Sequence, residues 1–167
     1  MKKYILFAFL GLVTFAFTGC DDSDTDPGGT AVQDMAGQWD VSLYDVKADG
    51  TTGDEEAPFT LTTYNTAANT ADSMWVAGLS DYSKYGLNFQ SKVGINYAAK
   101  TFEGTVTRVY GDKSSGTITI KNGKVLPGAA TSLHGMPNDS IVFDIVYSDD
   151  PNTTYRVSGQ RYTGFTE

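Results

Sequence analysis

The sequence predicts an all-β chain, folded as a closed antiparallel up-and-down β-barrel of about eight strands. Three observations carry that expectation. The first is alternation at period two, clearest where Leu87, Phe89, Val93, Ile95 and Tyr97 share one parity and Asn88, Gln90, Lys92 and Asn96 take the other. A strand with one buried face produces this pattern. The second is the connections, which are mostly short and rich in Gly, Asn, Asp and Pro, with no long amphipathic helix between them. Such strands pair as antiparallel neighbours. The third is Arg161, which sits on the same parity as Tyr155 and Val157 in the last strand. An arginine in an apolar row is costly unless something meets it, and the face of the Trp39 indole in the first strand can do so. In an eight-stranded meander the first and last strands are neighbours, so the two side chains are expected to meet where the sheet closes. A β-sandwich built from the same strands is the structural alternative.

The chain divides into residues 1–19, a sorting signal; 20–33, a tether; and 34–167, the barrel domain. Lys2 and Lys3 precede an apolar core from Tyr4 to Phe17, and Thr18-Gly19-Cys20 follows. The apolar run is too short for a stable transmembrane span. Small residues before a cysteine mark a bacterial lipoprotein signal, with Phe17 replacing the usual leucine, so Cys20 is expected to become the lipidated N-terminus. At about 0.8 kcal/mol per buried CH₂, two or more acyl chains hold a protein on a membrane almost permanently. Cys20 is also the sole cysteine, which leaves the fold to stand on packing alone. Asp21, Asp22, Asp24 and Asp26, ahead of Pro27-Gly28-Gly29, repel one another and make a solvated tether. Asp22, Asp24 and Asp26 have the spacing of a calcium loop's first ligands. Pro27 stands where its glycine belongs, however, and Gln33 where its closing glutamate belongs.

Val32 to Ala36 reads as a helical turn or plug. In the first strand, Gln38 to Val46, Trp39, Val41 and Leu43 point one way and Asp40, Ser42 and Tyr44 the other. Ala48 to Ala57 is expected as an acidic loop. The second strand, Pro58 to Asn65, turns Phe59, Leu61 and Thr63 inward. The third, Ser73 to Gly78, has an ambiguous facing for Trp75. Ser80 to Gly86 is a loop at the mouth. The fourth strand starts at Leu87, and the fifth, Thr101 to Val109, pairs with it as a hairpin. A strand begins at Thr117, and Asn122-Gly123 signals a hairpin because both positions tolerate positive φ. A loop from Pro127 leads to the inward row Ile141, Phe143, Ile145 and Tyr147. Ser148 to Asn152 is a turn by composition, and Tyr155 to Phe165 is the final strand.

Catalytic constellations are thin. The single histidine, His134, sits in a loop near Ser132 and Asp139, with no nucleophile elbow. Glu103 and Asp144 lie on outward parity, so a glycosidase-like pair would face solvent. The expectation is no catalytic residue, no metal and no cofactor. A net charge of −8 argues against nucleic acid as a partner. Removing the leader takes away two lysines and no acid, so the mature chain is more acidic still.

Several stretches carry a family likeness. They are Asp34-Met35-Ala36-Gly37-Gln38-Trp39, Asn69-Thr70-Ala71-Asp72 before Met74-Trp75, and Asp139-Ser140-Ile141-Val142-Phe143. Ser148-Asp149-Asp150-Pro151 and the ending Gly159-Gln160-Arg161-Tyr162-Thr163-Gly164-Phe165 complete the set. Together they resemble the calycin-like (lipocalin-like) lipoproteins of Gram-negative gut bacteria grouped as lipid-binding putative hydrolases. The resemblance implies a lipocalin-like barrel in which Gly37, Trp39 and Arg161 close one end. An acidic run after the lipidated cysteine resembles the signal that exports some lipoproteins, which implies an outer-membrane, surface-exposed location.

The expected function is a lipid-anchored envelope barrel that holds a small hydrophobic ligand in its interior. The lining candidates are Phe59, Leu61, Phe89, Val93, Ile95, Ile141, Phe143, Ile145 and Tyr155. The alternative is a surface protein that meets partners or glycans through Ala48 to Ala57, Ser80 to Tyr85 and Leu126 to Asn138. A hydrolase is the third reading. The sequence leaves the oligomeric state open.

Overall fold

The structure, a computed structural model, describes residues 28–79, 87–107, 116–132 and 134–164. The leader, Cys20, the acidic run and the segment Ser80 to Gly86 lie outside the described residues. Eight antiparallel strands close into one barrel in sequence order, which excludes the sandwich. They are β1 (Gly37–Val46), β2 (Thr52–Asn65), β3 (Ser73–Leu79), β4 (Phe89–Asn96), β5 (Thr101–Thr107), β6 (Thr117–Thr131), β7 (Pro137–Tyr147) and β8 (Asp150–Arg161). Among the described residues, the 3-10 turn Gln33–Met35 precedes β1. Closure comes from β1 pairing with β8 in unbroken register from Trp39↔Arg161 to Asp45↔Tyr155.

Alternation fixes what faces inward. Trp39, Val41 and Leu43 of β1, Phe59 and Leu61 of β2, and Ile141, Phe143 and Ile145 of β7 all join one continuous core. Met74 and Val76 are buried, so Trp75 between them faces outward, where it stacks on Tyr64 of β2. Inside the barrel, Phe102 of β5 meets Phe143 of β7 edge to face, with ring centroids 5.6 Å apart.

Four local expectations are corrected. The acidic stretch from Thr52 to Ala57 is strand, so the loop after β1 spans only residues 47–51. β2 carries extra residues opposite Tyr44, and bulges absorb the acids without disturbing the β1 row. Asn122-Gly123 is not a hairpin turn. Asn122 does take φ 55°, but β6 continues through it, and the register on β7 shifts between Lys121 and Lys124. Positive φ serves a bulge as well as a turn, and here the Asn122 amide donates to Asp144 Oδ2 at 3.0 Å. Pro127-Gly128 is likewise a bulge within β6, where Asp139 Oδ1 accepts from the Gly128 N–H at 2.9 Å. The reversal comes later, where the Ser132 N–H donates to the Met136 carbonyl at 2.9 Å. Finally, β8 starts at Asp150 and ends at Arg161. Pro151 is tolerated because the β7 ladder skips from Tyr147↔Asp150 to Val146↔Thr154.

Candidate functional site

The two ends of the barrel are built differently, and that difference defines the site. At one end, Val32 and Met35 of the entering segment are fully buried and seal the interior beside Trp39. The Trp39 indole donates to Thr63 Oγ1 at 2.9 Å, and that hydroxyl donates to the Met35 carbonyl at 2.6 Å. Arg161 lies over the indole, its Cζ 4.3 Å from the ring centroid. Its guanidinium donates to the Ala36 and Asp34 carbonyls and, through Nε at 3.1 Å, to Asp139 Oδ2. Gly37 explains itself here, because a Cβ at that position would overlap Arg161 Nη1. Asn138 completes the clasp by donating to the Arg161 carbonyl at 2.7 Å.

A second polar layer surrounds the plug. Lys100 Nζ reaches Asp34 Oδ2 at 2.6 Å and lies over the Tyr97 ring. The hydrogen bond from Lys100, then that from Tyr97, holds the Asp34 carboxyl below its ordinary value. Partial desolvation works against the Lys100 charge, but the bonds and charges of Asp34 and Tyr97 outweigh it and lift the ammonium pKa.

The opposite end is the expected mouth; of its four connections, the β1–β2 and β7–β8 ones are described, and the β3–β4 and β5–β6 ones lie largely outside the described residues. There β1 ends on Asp45 opposite Tyr155, and the Tyr155 ring meets Tyr147 edge to face at 5.6 Å. The proposed lining residues fall into two groups. Leu61, Ile141, Phe143 and Ile145, at no more than 1% exposure, are wholly inside the packed core, and Phe89 and Val93 are nearly so. Phe59 retains 8% exposure, Tyr155 is half-buried at the mouth, and Ile95 is half-buried toward the sealed end. Two grooves formed by described residues lie on the outer wall. One, of about 540 Å³, runs past Asp40, Tyr44, Thr60 and Ser158. The other, of about 550 Å³, runs past Asn96, Glu103, Asn122 and Lys124.

His134 is exposed in the β6–β7 turn. Asp139 is committed to Gly128 and Arg161, and Ser132 Oγ accepts from the Met136 N–H at 3.2 Å. Asp144, expected at the surface, is instead buried between Arg156, at 2.9 Å, and Asn122. Glu103 is exposed. Among the described residues, no three His, Cys, Asp or Glu side chains gather as a metal site. Asp45 at the mouth escaped the sequence argument, although its parity with Leu43 was the signal that marks it.

A family model described as lipid-binding putative hydrolase matches residues 24–166. No curated protein matches the chain.

Proposed function

The chain belongs to the lipid-binding putative hydrolase family, and from that premise we propose that it carries a small, lipid-like hydrophobic guest in the mouth half of its barrel. The observation that supports this reading most directly is the asymmetry of the barrel. One end is plugged by Met35, Trp39 and Arg161, and the apolar inner rows run from that plug to an aromatic rim at Tyr147 and Tyr155. Eight-stranded barrels have room for one small ligand at most. With Phe102 and Phe143 already in contact deeper in, the guest seats on the rows nearest the rim, Phe59 and Tyr155 among them.

The rest of the proposal is a lipoprotein leader over residues 1–19 and an acylated Cys20 that anchor the barrel to the outer membrane of a Gram-negative cell, and the acidic run after Cys20 supports the outer surface over the periplasmic face. The acidic tether would keep the domain clear of an anionic surface.

The test is direct. The purified mature domain is titrated with the neutral fluorescent probe N-phenyl-1-naphthylamine, and the chloroform extract of freshly purified protein is read by mass spectrometry. Saturable probe binding with a co-purifying amphiphile is the expected result. An absence of saturable binding, together with an empty extract, overturns the reading.

A further inference from the structure

We infer that Asp45 is the head-group site of the mouth, and that the guest is an amphiphile bearing a protonated amine. This rests on the reading of an apolar guest in the mouth half and adds the chemistry of its polar end.

Three observations lead there. First, β1 pairs with β8 without a slip, so the alternation that buries Trp39, Val41 and Leu43 carries Asp45 to the inner face. It is the last inward position of β1 and stands opposite Tyr155. The bulges of β2 bring Gly53 beside it, and a Cβ on Gly53 would overlap the Asp45 carboxylate. The carboxylate thus occupies space that any other residue at position 53 would fill.

Second, Asp45 Oδ1 is buried and has no hydrogen-bond partner. The other carboxylates of the wall and plug do not share this condition. Asp144 holds Arg156 and Asn122, Asp139 holds Arg161 and Gly128, and Asp34 holds Lys100. Burying a carboxylate oxygen with nothing to meet it is costly, and such a group in a native fold calls for a donor from outside the chain.

Third, the surroundings suit a cation. The Tyr147 and Tyr155 rings meet edge to face beside Asp45, and aromatic faces attract ammonium groups. Among the described residues, the β1–β2 and β7–β8 connections and the strand ends beside them bring Asp49, Asp54, Asp149 and Asp150 to this end, against Lys47 and an Arg156 already held by Asp144 and the Gly50 carbonyl. The field at this rim draws a cationic head and repels a carboxylate of equal chain length.

The experiment displaces the naphthylamine probe with decylamine, decanol and decanoate near neutral pH. It uses the mature domain, Asp45→Asn, and the outward-facing control Asp40→Asn. Decylamine is expected to displace at roughly one-tenth the concentration of decanoate or lower, with decanol between them, as a charge-assisted hydrogen bond requires. Asp45→Asn should collapse that ratio toward one, whereas Asp40→Asn should keep both the ratio and the probe affinity of the parent. Circular-dichroism melts establish that each variant is folded. Probe binding without an amine preference, or an amine preference that survives Asp45→Asn, overturns the head-group assignment and leaves the apolar guest standing. Failure of the probe to bind the parent domain overturns both.

Discussion

The sealed end and the mouth of this barrel share strands, yet they solve opposite problems. At the sealed end, polar groups close on one another. The Trp39 N–H, the Thr63 hydroxyl and the Met35 carbonyl form one chain, and Arg161 reaches two carbonyls and Asp139. At the mouth, the same β1 row finishes on a carboxylate oxygen with no partner. The difference teaches where stability and function reside. The seam between first and last strands is fastened at one end, and in the proposed reading the other end keeps its unsatisfied group for a guest. Folded proteins commonly place such costly groups where binding repays them.

The largest expected effect breaks the fastened end outright. Trp39→Ala empties a fully buried indole site and leaves Thr63 without its donor, so it should cost about 3–5 kcal/mol in urea unfolding. A loss below about 1 kcal/mol would mean that Trp39 is not the keystone of this end.

Arg161→Ala sharpens the comparison. It removes the guanidinium from the indole face, worth roughly 0.5–2 kcal/mol, and it should lower the midpoint while leaving naphthylamine binding at the mouth intact. Equal losses of stability and probe affinity would show that the two ends are not independent.

The smallest effect is a pH dependence. Asp34 is held below its ordinary 3.8 in the folded chain, so its contribution is fully present above that value and fades as pH falls through the folded pKa. The melting temperature of Asp34→Asn should therefore fall short of the parent at neutral pH and converge with it at strongly acid pH. A gap that stays constant across the titration would exclude the ionised Asp34–Lys100 pair as its cause.

Much of this architecture was legible in the chain because it depends on parity alone. Trp39, Val41 and Leu43 alternate with Asp40, Ser42 and Tyr44 whatever the partner strand, and the row Ile141, Phe143, Ile145 and Tyr147 reads the same way. What misled was punctuation. Asn122-Gly123 carries the signal for positive φ, and a local signal does not say whether the chain reverses or merely bulges. The neighbouring strands decide, and both β5 and β7 shift register at that point. Pro151 and the acidic run at Asp54-Glu55-Glu56 looked like loop for the same reason. Their tolerance depends on which ladder bonds the partner strand leaves unused.

By itself, then, the sequence determined the all-β class and the inward rows, and it put a barrel ahead of a sandwich; the first-to-last pairing followed from the meander it expected. Periodicity and the cost of burying charge act within a few residues of the chain or on the sum of its strands. Only the tertiary structure decided that Asp45 has no donor, that Asp144 has two, and that Trp75 faces out. Partnership across strands is set by register, and the register depends on bulges in β2 and β6 that no single segment encodes.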